Sequence, residues 1–313
     1  MAKIFDSHPD VIYRHEPDSQ VRRTDIPYLC SAEDNERLRD GARAYLDDLL
    51  RVRTLKSAGS LPVFSKNYHG PARHYLRTAV IAAIRVAEKL GARKLAAEKL
   101  QVPDMLRSGA SPYFVMKSVS ALGRARLFRN ALPDSKIILI VRHPCGQVSS
   151  TLRGMATNKM SKYVPVAAMS VTEQAKRRGL TQDELESLPV IEALAWHWAL
   201  LNEMAMDDLD GADGVRLLRY EDLCERPIEI SRDLFAFAGI GMSAETERFL
   251  HQSISYEGKE RYFQVFRNPL RSANKWRDEL SEDEVGRILA IVEQSRPGRL
   301  FVEDAAANRA ALR

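Results

Sequence analysis

Short unbroken apolar runs alternate along the chain with longer stretches in which apolar residues recur every three or four positions. That is the pattern of strands alternating with helices in an α/β protein. The clearest run is Ile137-Ile138-Leu139-Ile140-Val141, β-branched or leucine throughout and preceded by the turn signal Leu132-Pro133-Asp134. Such a run fits a parallel strand covered on both faces. Asp10 to Tyr13, Pro112 to Lys117 and Val215 to Arg219 predict three further strands, the second of them buried. Helical periodicity predicts an amphipathic helix from Ser31 to about Arg51, with Leu38, Ala42, Leu46, Leu49 and Leu50 on its inner face and a capping box opening it at Ser31. A second helix, Ala72 to Lys89, presents Tyr75, Ala79, Ala82, Ala83 and Val86 as cover for the sheet, followed by a charged surface segment from Arg93 to Lys99. Ile191 to Met206 is a strongly apolar helix whose Trp196 and Trp198 are expected in the core rather than as a stacking platform. Pro227 opens a helix that stops at Gly239, and Ser281 caps a last one running to about Gln294.

The end of the central strand is where chemistry first suggests itself. Arg142 follows Val141 directly, and His143 precedes a proline, which biases it toward extended backbone. Pro144 suits the first turn of a helix, where the amides have no internal partner. A strand end feeding a helix start is a natural anion site. Arg142 at its mouth and the hydroxyls of Ser149 and Ser150 about two turns later could hold a phosphate between them. Val148, Leu152 and Met155 form the buried stripe of that helix and leave both serines off it. The plainer alternative is an arginine that simply leaves the core for solvent.

The segment IILIVRHP with Ser150 resembles the 3′-phosphate-binding segment of sulfotransferases that use 3′-phosphoadenosine-5′-phosphosulfate (PAPS). SHPDVIYRHEP at 7–17, LLRYEDLCERPIEISRDLFAFAGI at 217–240 and ANKWRDEL at 273–280 are similar to further segments of bacterial and carbohydrate-type members, in the family's order. The resemblance implies a three-layer, P-loop-NTPase-like sandwich around a central parallel sheet. It implies one sulfotransferase-like domain over 1–304, with a helical lid inserted at about 157–189 and a flexible tail at 305–313. It further implies that Arg142, Ser150 and Tyr220 bind the nucleotide, and that Glu16 is the base taking the proton of an attacking hydroxyl, with His15 as the alternative. An ordinary surface ion pair between Glu16 and Arg14 or Arg22 is the competing reading.

Two departures from the family's pattern matter. Cytosolic members carry Lys-Thr-His where this chain has Lys117-Ser118-Val119, which shifts the base assignment to Glu16 and leaves Lys117 as a stabiliser of charge on the bridging oxygen. The Ser/Thr-rich glycine loop that grips the 5′-phosphosulfate, together with the strand before it, has no counterpart here. Met1 to Asp6 reads instead as the last turns of a helix, and neither G-x-x-x-x-G-K-[ST] nor G-x-G-x-x-G occurs. The first strand and loop are expected upstream of Met1, so that the 313-residue chain binds 3′,5′-ADP poorly and transfers little. Near the C-terminus, Arg261, Arg267, Arg271 and Lys275 resemble a loop that closes over the nucleotide, without singling out one residue.

Composition narrows the classes. A net charge of +5 against 47 basic and 42 acidic residues suits a basic pocket for an anionic ligand, not bulk nucleic-acid binding. Cys30, Cys145 and Cys224 are far apart and odd in number, giving neither a disulfide framework nor a zinc spacing. A reducing cytoplasm is the simpler expectation, and no apolar run reaches the ~18–20 residues of a membrane helix. The reading is therefore a sulfotransferase with PAPS as co-substrate and 3′,5′-ADP as product, without metal. Its acceptor is a small molecule, carbohydrate or lipid, with homo-oligomerisation open. A non-catalytic binding or scaffold protein on the same fold is the alternative, and a kinase-like phosphotransferase is disfavoured by the missing phosphate-loop lysine.

Overall fold

The structure, a computed structural model, describes residues 2–90, 100–256 and 268–301. In chain order its principal elements are α1 (Ala2–Ser7), β1 (Val11–His15), α2 (Arg39–Arg51), α3 (Pro71–Lys89), β2 (Tyr113–Lys117), β3 (Ile137–Val141), α4 (Pro144–Ala156), α5 (Val190–Asp208), β4 (Val215–Arg219) and α6 (Glu282–Val292). The four strands among the described residues pair in parallel, as expected of an α/β chain: β1 with β2, and β3 with β4. The residues group into two compact units. One comprises Met1–Ile26, Asp40–Ser120 and Pro227–Asn268, and the other comprises Pro27–Arg39, Ala121–Arg226 and Pro269–Arg313.

In the first unit, β1 and β2 run in register from Val11 opposite Tyr113 to His15 opposite Lys117. The sequence reading ends the strand at Tyr13 and places Arg14 in a loop; the strand in fact continues to His15. Arg14 is only 2% exposed. Its burial is offset by Nη2 donating to both carboxylate oxygens of Asp104, at 2.8 and 2.7 Å, and by a hydrogen bond from Nε to the Leu50 carbonyl. Lys66, also buried, donates to the carbonyls of Asp6, His8 and Val11, and so satisfies the chain where α1 passes into β1.

The helix expected over 31–51 is two. Ala32–Arg37 carries the capping box between Ser31 and Asp34, and α2 begins anew after Leu38. Helix α3 has the expected span, but the face it buries is the other one. Ile81 and Ile84, flanked by Val80 and Ala87, pack on Leu55 and Val102, whereas Tyr75, Ala79, Ala82, Ala83 and Val86 are exposed. The helix is apolar on both sides, and the side it buries is the one whose isoleucines meet Leu55 and Val102.

In the second unit, β3 and β4 run in register from Ile137 opposite Val215 to Val141 opposite Arg219. Helices α4, α5 and α6 pack on one another, and Val141, Cys145, Val148, Ala195, Trp198, Leu200, Ile288 and Val292 belong to one buried cluster. The tryptophans of α5 are core, as the sequence predicts. Residues 157–189 include three short helices, Val166–Ser170, Glu173–Lys176 and Gln182–Ser187, and contribute Met169, Ala175 and Leu185 to the same cluster.

Strands β2 and β3 are less covered than their sequences suggest. Ile137, Ile138 and Ile140 are half-buried, and Tyr113 and Phe114 are exposed. The charged segment at 93–99, the basic residues Arg261 and Arg267, and the tail at 305–313 lie outside the described residues.

Candidate functional site

Each unit carries a cluster of chemically capable side chains at the C-terminal end of its strand pair. In the first unit the parallel register delivers His15 and Lys117 to the same level, and Glu16 follows at once. The Glu16 amide donates to the Lys117 carbonyl at 2.8 Å. Its backbone is left-handed, with φ 46° and ψ 50°, an uncommon conformation for a residue with a side chain and one that turns the chain sharply into Pro17. The turn holds the carboxylate against the ammonium of Lys117, and Lys56 approaches its other oxygen at 3.2 Å. Neither Arg14 nor Arg22 is its partner in the ion pairs found. His15 Nε2 lies 3.8 Å from the same carboxylate, while Nδ1 is 2.9 Å from the Tyr13 hydroxyl.

The electrostatics follow from these contacts. Burial alone would raise the pKa of Glu16, but the hydrogen bond and charge of Lys117, with His15 and Lys56 behind them, pull it below the usual carboxylate range. Burial, then the charge of Lys117, keeps His15 below the ordinary imidazole value. At neutral pH the cluster therefore holds an ionised carboxylate beside a neutral imidazole. Tyr13, buried, keeps its phenol proton, with its hydroxyl in hydrogen-bond contact with the ring. Beyond Lys117, the Ser118 hydroxyl donates to Asp18 at 2.5 Å.

In the second unit Arg142 leaves β3 and lies over the Tyr220 ring, 5.1 Å from its centroid, while donating to the Ser272 carbonyl at 3.0 Å. The Arg142 Nε–H is buried with no acceptor. Gly146 makes this approach possible, since a Cβ there would meet Arg142 Nε at 3.1 Å and Trp276 Cδ1 at 3.3 Å. Trp198 Nε1 donates to the Arg142 carbonyl, and the Glu221 carboxylate accepts the His143 amide, both at 3.0 Å. The strand end is thus clamped from two directions. Burial raises the pKa of Tyr220, and the same cause acts on Glu221.

The two serines of α4 part ways. Ser149 is buried and donates to Glu279, which also pairs with Arg153, so it is committed to structure rather than to the phosphate role considered for it. Ser150 sits half-buried about two turns from the helix start. Of the C-terminal basic residues, Lys275 pairs with Glu279 at 3.5 Å. It is Trp276 that reaches the strand end, stacking on His143 with ring centroids 4.5 Å apart and planes 12° from parallel.

His143 gives a pH test of this packing. Burial, then the charges of Arg277, Arg219 and Arg142, push its pKa down to about 4. The fold therefore favours neutral His143. Its contribution is fully present above the unfolded value near 6.5 and is lost as pH falls toward 4. We expect stability to decline across that window by on the order of 2–3 kcal/mol, and His143→Gln to flatten the decline in denaturation curves recorded at each pH. An unchanged slope in the variant would remove His143 as its source.

Sequence reasoning named Glu16, Lys117, Arg142, Ser150 and Tyr220; the structure brings Glu16 and Lys117 together in one unit and Arg142 and Tyr220 in the other. It missed Lys56, which nothing local ties to Glu16. The Tyr13–His15 contact had a usable signal, because residues two apart on a strand share a face. Among the described residues no group of three or more His, Cys, Asp or Glu is arranged to hold a metal, and no helix is long and apolar enough to cross a membrane. Cys30, Cys145 and Cys224 are free and buried.

Comparison with known proteins bears on all of this. The profile of the sulfotransferase family matches residues 1–244. The chain is 30% identical over 80 residues to carbohydrate sulfotransferase 5 of Mus musculus, covering 24% of this chain and 20% of that protein. It is 26% identical over 181 residues to carbohydrate sulfotransferase 2 of Homo sapiens, covering 52% and 34%. The chain thus spans about a third or less of the length of these curated relatives. Among solved structures, the sulfotransferase domain from the Synechococcus PCC 7002 olefin synthase aligns over 91% of this chain and 86% of that one, at 14% identity and a TM-score of 0.41.

Proposed function

The chain belongs to the sulfotransferase family, and on that premise we propose that it moves the sulfonate group of PAPS onto a hydroxyl or amine of a carbohydrate acceptor. The carbohydrate class is suggested by the names of the two relatives. Transfer of this kind breaks the bond between sulfur and the bridging phosphate oxygen as the acceptor oxygen or nitrogen bonds to sulfur. It requires in-line placement, a base for the acceptor proton and a cation for the leaving oxygen.

The observation that carries the reading is the Glu16–Lys117 pair at matched strand ends. Glu16 is ionised at neutral pH and takes the acceptor proton. Once it is protonated, the hold on Lys117 weakens, and the ammonium charge becomes available to the leaving oxygen at the moment charge develops there. Arg142 and Tyr220 take the 3′-phosphate and adenine of the nucleotide, with Ser150 as a further phosphate ligand. Support for Arg142 is its buried Nε–H without an acceptor, a donor that an anion would satisfy.

The nucleotide assignment is tested by calorimetric titration with 3′,5′-ADP. Arg142→Met should weaken binding by about 10- to 100-fold, the worth of one charge-assisted hydrogen-bonded contact. Equal affinity in both proteins would remove Arg142 from the site. Transfer itself is tested with labelled PAPS and a panel of sugars, with labelled ATP in parallel; label arriving from ATP alone would replace the sulfotransferase reading with a phosphotransferase.

A further inference from the structure

Helix α3 has an apolar face that no described residue of its own unit covers. Tyr75 is 74% exposed, Leu76 54%, Val86 55% and Leu90 81%, and between them Ala79 and Ala83 are exposed as well. At 100° per residue these positions fall on one side of the helix, opposite Ile81 and Ile84, and no charged residue lies among them. Their exposed area is on the order of 700 Å², above the roughly 300–600 Å² of the largest apolar patch on a typical monomer. It approaches the roughly 800 Å² that each partner buries in a stable interface.

We propose that this face is the dimer interface of the protein, occupied by the same face of a second copy in antiparallel orientation. Residue sizes along the helix run large, small, large: Tyr75 and Leu76, then Ala79, Ala82 and Ala83, then Val86 and Leu90. A two-fold axis passing near the alanines lets the backbones approach closely there. It sets Tyr75 and Leu76 of one copy against Val86 and Leu90 of the other. A parallel pairing would stack tyrosine on tyrosine and leave a gap at the alanines. The charges bordering the face, Arg73 and Lys89, lie on opposite edges of the helix, so the antiparallel arrangement does not bring them together.

A lipid surface is the other occupant such a helix could have, and it would need free cations beside the apolar face. Here the nearby guanidiniums are engaged with backbone carbonyls, and Lys89 is left as a single exposed cation at one edge. Arg73 donates to Leu106, Arg77 to Pro103 and Ala58, and Arg85 to Gly59. A second copy asks for no such cations.

The proposal is independent of sulfonate transfer and is tested on the full chain. Sedimentation velocity over about 1–100 µM should show a dimer. The double substitution Ala79→Glu with Ala83→Glu, both on the exposed face, should give a folded monomer whose melting temperature no longer rises with protein concentration. Mild oxidation should cross-link Ala82→Cys to its own copy, and should leave Leu90→Cys free because the two Leu90 positions lie about 27 Å apart along an antiparallel pair. The buried native cysteines do not compete. A wild-type chain that stays monomeric throughout, a dimer that survives the double substitution, or equal cross-linking at Ala82→Cys and Leu90→Cys would each overturn the proposal. Co-sedimentation of a monomeric chain with anionic phosphatidylserine vesicles would assign the face to lipid instead.

Discussion

Glu16→Gln is expected to lower kcat for sulfonate transfer by about 10²- to 10⁴-fold, the usual worth of a general base, while leaving the KM for PAPS nearly unchanged. The amide keeps the size of the side chain and can accept a hydrogen bond from Lys117 through its oxygen, so the left-handed turn at residue 16 and the strand register survive. What is lost is the negative charge and the site for the proton. The pH dependence separates Glu16 from its neighbour. With Lys117 and Lys56 holding its carboxyl below the usual range, Glu16 stays ionised down to acid pH, and kcat should be flat from about pH 6 upward and fall only where carboxylates titrate. If His15 were the base, the falling limb would sit closer to the imidazole range, and His15→Asn would carry the large loss instead. Near-wild-type turnover in Glu16→Gln would end the assignment.

The second large effect concerns stability. Asp104→Asn should cost about 3–5 kcal/mol, because it leaves the Arg14 guanidinium buried at the end of β1 without its counter-charge. Arg14 has no route to solvent at 2% exposure, and its remaining acceptor of good geometry is the Leu50 carbonyl. A companion variant, Arg14→Met with Asp104→Leu, removes both charges together and should be much closer to wild type. Urea denaturation of the two variants decides it. If Asp104→Asn lost less than about 1 kcal/mol, the pair would be behaving like a surface ion pair, and the closed packing around β1 would be contradicted.

The same arginine shows where the sequence stops being legible. An unbroken β-branched run announces β3, and a capping box announces the helix at Ser31; these are local, and they are found where expected. Arg14 reads as the start of a loop because a charged residue ends an apolar run. Its partner lies 90 residues away and nothing near Arg14 points to it. Helix α3 fails for a different reason. Two apolar faces compete on one helix, and periodicity detects that a face exists without deciding which one the protein buries. The site divides along the same line. Glu16, Lys117, Arg142 and Tyr220 each stand at a strand end, a position that sequence marks, whereas Lys56 and the stacking of His143 on Trp276 depend on how distant segments meet.

The parallel pairing of β1 with β2 also sets a clock on the appearance of the site. Glu16 and Lys117 stand 101 residues apart, and a parallel ladder cannot close as a hairpin would. At about 5–20 residues per second, β1 leaves the ribosome several seconds before its partner strand has been made. Throughout that interval Val11, Ile12 and Tyr13, which end deep in the core, have no sheet to join, and the uncompensated charge of Arg14 lies beside them. The nascent chain must be kept from associating through this strand until Asp104 and β2 emerge. Yield on expression should therefore respond to holdase chaperones and to translation rate more strongly than the stability of the finished protein would suggest.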